Sequence, residues 1–310
     1  MNSNFSIAIL FGGISSEREV SINSAMEIYD ALPSFLNIDL IELNHSNFNS
    51  FINELDENTL VFNALHGGAG ENGQIQSYLS HYKISYTGSD ATASMLAMNK
   101  HFTKIIALEN NVLTPNWLSI NLNNSDRSKI LSYKSNKFKI PVVVKPNFQG
   151  STLGLSIVDN INKIENAVDV ASIYSDNIIV EKFIKGKELT VGILDDKVLE
   201  IVEIIPKSGF YDYKSKYTKG QSEYKCPAKL DKNLSAKIKE NALRIHNALG
   251  CRHYSRVDFI LCEETGNPYM LEVNTLPGMS KTSLLPMSAA SKGINFKSLV
   301  KKIIKLAIDN

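Results

Sequence analysis

The chain of 310 residues has only three cysteines, Cys226, Cys251 and Cys262. Their number is odd and none stands in a CxxC pair, which argues against a disulfide framework or a structural zinc site and fits a reducing compartment. Excess charge of one sign is also missing: 33 Lys and Arg face 32 Asp and Glu, for a formal charge of +1. No bulk field recruits nucleic acid or an anionic membrane, so local groups must hold any anionic ligand. Apolar runs fall well short of the ~20 residues of a membrane span. The opening MNSNFSIAILFGG has neither the basic stretch nor the apolar core of a signal peptide. The expected location is the cytoplasm, with no membrane or nucleic-acid partner. Repeats and low-complexity segments are absent, and 43% hydrophobic against 21% charged residues is the balance of an ordinary folded protein.

In the first third, residues 6–11, 37–42, 59–64 and 84–86 are strand-like and 21–32 has helical periodicity, which predicts a parallel α/β layer. Gly12-Gly13 and Gly67-Gly68 each follow a strand and precede a helix, where open α/β sheets bind ligands. A helical pattern over 97–109 runs to a stop at Thr114-Pro115. From Ile140 the strand-like segments PVVVK, LSIV, IIVEKFI and ELTVGIL, with a helix over 161–172, predict an α+β block. Residues 206–227, containing FYDYKSKYTKG, show neither period and read as a long loop, of the kind that serves as a lid. A helix over 235–249, a hairpin over 254–274 and a final helix follow. The final helix carries an apolar stripe of Phe296, Leu299, Val300, Ile303, Ile304 and Ala307. Its KKIIK run reads as the solvated face of a docked helix rather than as a membrane-surface segment.

The hairpin carries the strongest chemical signal. With its turn centred on Thr265, Asp258 faces Glu272 and Arg256 faces Asn274. Val257, Phe259, Leu271 and Val273 then take the opposite, core face. Two opposed carboxylates with an amide oxygen suit a hard divalent cation that keeps positions open for phosphate oxygens. The competing reading is a solvated strand pair in which Arg256 neutralises the acids. The turn Thr275-Leu276-Pro277-Gly278-Met279-Ser280 follows at once and presents backbone N–H groups to an anion or developing oxyanion.

A second constellation, VVVKPNFQGSTLGLS, ends a strand in Lys145 and continues into small residues including Ser151, which reads as a phosphate cradle or as a plain connection. In the third, IIVEKFIKGKELTV, Glu181 ends a strand, Phe183 and Ile184 are placed to sandwich a flat base and Glu188 to bind ribose; a surface strand pair would look the same. Gly68-Ala69-Gly70-Glu71-Asn72-Gly73 matches GxGxxG with Asp90 at the ribose-acid distance, so a dinucleotide oxidoreductase is the rival reading, weakened because the motif is not in the first βα turn. GxSxG is absent, and nucleophilic hydrolysis is not expected.

Eight stretches, LFGGISSEREVSINS, ALHGGAGENGQIQ, YTGSDATASMLAMNK, VVVKPNFQGSTLG, EKFIKGKELTV, FYDYKSKY, YSRVDFIL and LEVNTLPGMSKTSLLP, span nearly the whole chain. In them the sequence resembles the D-alanine:D-alanine ligases of the ATP-grasp superfamily. The resemblance implies a three-domain ATP-grasp fold: an N-terminal parallel α/β domain over 1–96, a central domain over 97–188 and a catalytic domain over 189–310 with a lid over 206–227. It implies ATP-dependent joining of two D-alanine molecules through an acyl phosphate, with Mg²⁺ or Mn²⁺, two ions per site, in a homodimer, for peptidoglycan precursor synthesis. Asp258, Glu272 and Asn274 would hold the metal, and Lys100, Lys145 and Lys216 would contact phosphates. Glu181, Phe183, Ile184 and Glu188 would form the adenosine pocket. Glu17, with His66 alongside, would receive the first ammonium group, and Ser151 would connect to Glu17 through Tyr217. Arg256 and the Gly278 N–H would stabilise the oxyanion, and Ser283 and Leu284 would receive the second carboxylate. Gln149 and Leu276 depart from the family's usual Glu and Ser. Another carboxylate-amine ligase of the superfamily, including the D-alanine:D-lactate type, is the alternative.

Overall fold

The computed structural model describes residues 6–124, 140–207 and 221–309. Its first sheet joins β1 (Ser6–Gly12), β2 (Asn37–Leu43), β3 (Thr59–Asn63) and β4 (Ser85–Tyr86) in the order β2-β1-β3-β4, all parallel. Strand β1 is buried throughout, as a parallel strand covered on both faces must be. Its alternate residues sort to two cores. Ala8 and Leu10 pack with Ile75 and Leu79 of α2 (Gln74–His81). Ile7, Ile9 and Phe11 pack with Ala25 and Ile28 of α1 (Arg18–Ala31) and with Leu299, Val300 and Ile303 of the last helix. The sequence's terminal helix thus closes a face of the first sheet, with Leu299, Val300, Ile303, Ile304 and Ala307 of its stripe buried, Phe296 partly so, and Lys301 and Lys305 exposed.

Two helices, α3 (Ala91–Met98) and α4 (Lys100–Glu109), lead out of this layer. The 97–109 pattern is broken at Asn99, whose side chain accepts a hydrogen bond from the Phe102 N–H and caps α4. Helix α4 is oriented opposite to what its apolar residues suggest: Lys100, Thr103, Lys104 and Ala107 point inward, while Phe102, Ile105 and Leu108 are exposed.

The second sheet orders β5 (Trp117–Asn121), β6 (Val142–Pro146), β7 (Ser156–Val158) and β8 (Asn177–Lys182) as β5-β8-β6-β7, all antiparallel. Helix α5 (Ile164–Ser172) covers it with Ile164, Ala167, Val168 and Ala171. Strand β5 escapes the sequence reading because WLSIN is only five residues long and has no clear alternation of apolar and polar residues.

The third sheet, also antiparallel, runs β11-β10-β9-β12-β13, built from β9 (Gly186–Leu194), β10 (Lys197–Pro206), β11 (Ser222–Lys225), β12 (Tyr254–Cys262) and β13 (Pro268–Asn274). Helix α6 (Lys232–Ala248) buries Ile238, Ala242 and Ile245 against one face. Helix α7 (Leu284–Ser291) approaches β9 and β10 closely at Gly192, where any Cβ would meet Leu285 Cδ1 at 2.7 Å. The last helix, α8 (Phe296–Ile308), then returns to the first sheet.

Two expectations need correction. Part of the 206–227 loop is strand β11, paired from Glu203↔Lys225 to Pro206↔Ser222; as a polar edge strand it shows no hydrophobic period. In the hairpin, Arg256↔Asn274 and Asp258↔Glu272 pair as expected, but a bulge then shifts the register to Phe259↔Met270. Met270, not Leu271, therefore enters the core, and Leu271 turns to the polar face beside Asp258 and Glu272.

Candidate active site

A cavity of about 290 Å³ lies where the three sheets meet and gathers ten of the residues singled out in the sequence. From the first sheet's loops come Glu17 and His66. The β6–β7 loop supplies Ser151, and α4 supplies Lys100. The hairpin and the turn after it supply Arg256, Glu272, Asn274 and Gly278, and the start of α7 supplies Ser283 and Leu284. A smaller adjoining cavity shares Lys100 and Glu272 and adds Lys145, Glu188 and Asp258, with Leu155, Leu189, Ile204 and Leu271 as apolar walls.

Glu17 is buried at the start of α1. Its N–H donates to Ser15 Oγ, and Ser15 Oγ–H donates to the His66 carbonyl at 2.5 Å. Glu17 also accepts a hydrogen bond directly from Ser151 Oγ, across 134 residues of sequence. Ser151 has φ +52°, an uncommon backbone conformation for a residue with a side chain, and this tight turn aims its hydroxyl at Glu17. Gly67 is needed for the same reason of space: with φ +67°, a Cβ there would sit 2.8 Å from Glu17 Oε2. His66 is held between Ser24 Oγ, 3.1 Å from Nε2, and Glu71, 3.6 Å from Nδ1. Ser24 Oγ in turn accepts from the Met279 N–H at 3.4 Å, which ties α1 to the turn after the hairpin.

On the hairpin, Arg256 grips Asp258 with Nε to Oδ1 and Nη2 to Oδ2, both at 2.9 Å, and Thr190 Oγ1 on β9 donates to Asp258 Oδ1 at 2.5 Å. Lys100 Nζ lies 3.3 Å from Glu272 Oε2 and donates to the Gln149 carbonyl at 2.7 Å. Asn274 Oδ1 accepts from the Leu276 N–H at 2.9 Å, which shapes the following turn. Ser283 Oγ accepts from the Ser280 N–H at 3.1 Å, and a Cβ on Gly278 would meet that Oγ at 2.8 Å. Ser283 and Leu284 open helix α7 and line this end of the cavity, and a helix N-terminus is a favourable place for a carboxylate.

The remaining expected residues are placed differently. Glu181 is buried between two lysines, with Oε1 2.6 Å from Lys145 Nζ and Oε2 2.7 Å from Lys104 Nζ. Burial alone would raise its carboxyl pKa, but the two cations outweigh burial and hold it below the usual range. The Lys104 ammonium is lowered to about 8, chiefly by burial, with Lys145 and Lys100 adding to the drop and attraction to Glu181 opposing it. Ile184 packs with Ile260 and Cys262, and Phe183 is half-buried in the link between β8 and β9. Tyr217 and Lys216 lie outside the described residues.

Sequence reasoning missed Lys104, Thr190, Ser24 and Glu71. Lys104 was discoverable: Lys100, Thr103, Lys104 and Ala107 follow the i, i+3, i+4, i+7 spacing of a buried face. The GxGxxG match does not form a dinucleotide site. Asp90, its supposed ribose acid, caps α3 by accepting from the Ala93 N–H at 2.8 Å.

Comparison with known proteins agrees with this geometry. The family model "D-ala D-ala ligase C-terminus" matches residues 108–305. The D-alanine–D-alanine ligase of Methylacidiphilum infernorum is 41% identical over 303 residues, covering 97% of this chain and 95% of the relative. The chain belongs to the D-alanine–D-alanine ligase family. Another member, from Aquifex aeolicus, is 41% identical over 96% of this chain and 99% of its own length. The crystal structure of the Bacillus anthracis D-alanine–D-alanine ligase complexed with ATP superposes with a TM-score of 0.82 at 30% identity, covering 98% of both chains. The fold is that of the ATP-grasp ligases of this family. No helix among the described residues is long and apolar enough to cross a membrane.

Proposed function

We propose that the enzyme joins two D-alanine molecules into D-alanyl-D-alanine, consuming ATP and releasing ADP and phosphate, as a step toward peptidoglycan precursors. The single observation that carries this reading is the junction of the two cavities at Lys100 and Glu272. One cavity offers carboxylate, imidazole and helix-terminal donors for small zwitterions. The other offers lysines, a ribose-compatible carboxylate in Glu188 and apolar walls for a base.

In this reading the ammonium group of the first D-alanine pairs with Glu17, beside His66, and Ser151 holds Glu17 in place. Lys145 and Lys100 neutralise the nucleotide phosphates, Glu181 stands behind Lys145 off the cavity wall, and Glu188 with the Phe183 and Ile184 segment serves the adenosine side. The γ-phosphoryl group passes to the first D-alanine's carboxylate, breaking the bond to ADP and forming an acyl phosphate. The neutral amine of the second D-alanine, its carboxylate received at Ser283 and Leu284, attacks that carbonyl carbon. Arg256 and the Gly278 N–H hold the developing oxyanion, and collapse expels phosphate. Lys216 keeps the role the family resemblance gives it, on the transferred phosphate, and Tyr217 adds to a Ser151–Glu17 bond that is already direct. Loss of water access matters because an acyl phosphate hydrolyses.

Asp258, Glu272 and Asn274 fit Mg²⁺ or Mn²⁺: three hard oxygen donors share one face of the hairpin beside the lysines, and Asp258 Oδ2, bonded to Arg256 alone while Oδ1 also accepts from Thr190, keeps a lone pair to offer. When bound, the metal, as two ions per site, supplies charge neutralisation on the phosphate oxygens. The three units are assigned to 1–96, 97–188 and 189–310, in a cytoplasmic homodimer.

Incubation with ATP, Mg²⁺ and equimolar D-alanine and D-lactate, followed by mass spectrometry, tests the reaction. D-alanyl-D-alanine and ADP are expected in equal amounts. Ester as the main product, or AMP with pyrophosphate, would refute it.

A further inference from the structure

Lys104 is fully buried, lines neither cavity and yet makes more polar contacts than a spectator lysine needs. Besides its ion pair with Glu181 Oε2, its ammonium donates to Thr114 Oγ1 at 2.7 Å and lies 3.4 Å from the Pro115 carbonyl and 5.5 Å from the Trp117 ring centre. Thr114 passes the link on, donating from Oγ1 to the Met270 carbonyl at 2.8 Å, beside the bulge that sets Leu271 and Glu272 on the polar face. Burying an ammonium is costly, and only a compensating network keeps it charged.

The charge count gives this network its consequence. One carboxylate, Glu181, is shared by two ammonium groups, so the set carries a net positive charge. Only Lys145 opens onto the smaller cavity. With Lys104 taking part of the Glu181 charge, Lys145 keeps positive charge to offer a phosphate. Without Lys104, Glu181 would neutralise Lys145 and draw it inward.

Resting on the nucleotide reading above, we propose that Lys104 is a positioning residue for the phosphate lysine: by sharing Glu181 it holds Lys145 in place and leaves its charge available to the nucleotide, without touching the ligand. The effect is confined to phosphate recognition, which separates it from a general packing role.

Calorimetric binding of Mg-ADP and of adenosine to the wild type, to Lys104→Met and to the double variant Lys104→Met/Glu181→Gln tests this, with thermal melts on each. Lys104→Met should weaken Mg-ADP binding by about tenfold and change adenosine binding by less than about twofold. Adding Glu181→Gln should return Mg-ADP affinity to within about threefold of wild type, because Lys145 is then unloaded. Equal Mg-ADP affinity in Lys104→Met and wild type, equal losses for Mg-ADP and adenosine, or a further loss in the double variant would each overturn the inference. If Lys104→Met does not fold, the double variant decides alone: a loss of about tenfold or more in Mg-ADP affinity overturns it. A wild type that binds neither probe overturns the nucleotide reading itself.

Discussion

At the scale of single residues, the site works by pairing groups that would be unfavourable alone. Asp258 and Glu272 face each other across the hairpin, and each is offset by a cation, Arg256 for the first and Lys100 for the second. Replacing Glu272 by Gln keeps the shape but removes a hard, charged ligand. Turnover should fall roughly 100-fold or more while the melting temperature stays near the wild-type value. Steady-state rates at saturating Mg²⁺ check this, and unchanged turnover would remove Glu272 from the metal set. These residues were legible because two strands joined by a short turn fix their own register. The bulge at Leu271 was not, since it depends on how β13 packs and not on any turn residue.

At the scale of elements, the joints between the sheets carry titratable groups. The segment before β12 clasps the turn after β4: the Gly88 N–H donates to His253 Nδ1 at 3.0 Å, and Arg252 Nε donates to the Gly88 carbonyl at 3.0 Å. His246, on α6, sits 2.6 Å from Ser255 Oγ. Burial depresses both imidazoles from 6.5 to about 4, with Arg252 adding to the effect on His253. Because both values lie below those of the unfolded chain, the unfolded state binds more protons across this interval. Stability present above pH 6.5 is therefore lost as pH falls through about 4. Urea midpoints measured from pH 7 down to pH 4.5 should decline steadily; a flat profile would contradict the burial of these histidines. Element reading from sequence succeeded where an apolar run or stripe marks the buried surface, as in β1, covered on both faces, and α8, apolar on one, and failed where function reversed the rule. Helix α4 turns lysines inward and Phe102 outward because its buried face serves charge rather than packing. Strand β11 is polar on both faces and is defined only by its pairing with β10.

At the scale of the whole molecule, no single sheet owns the site. Glu17 and His66 belong to the first layer, Lys145 and Ser151 to the second, and Asp258, Glu272 and Asn274 to the third, while α8 binds the end of the chain back to its beginning. The sequence motifs named most of these residues, yet the direct bond from Ser151 to Glu17 and the Lys104–Glu181–Lys145 set arise only from tertiary proximity. The central claim is that this junction activates one D-alanine carboxylate by phosphorylation before the second amine attacks. Isotope transfer tests it directly, with D-alanine labelled by ¹⁸O in both carboxyl oxygens, ATP and Mg²⁺. Phosphoryl transfer to the carboxylate predicts one ¹⁸O in the released phosphate for each dipeptide formed. Dipeptide formation with unlabelled phosphate would contradict the account.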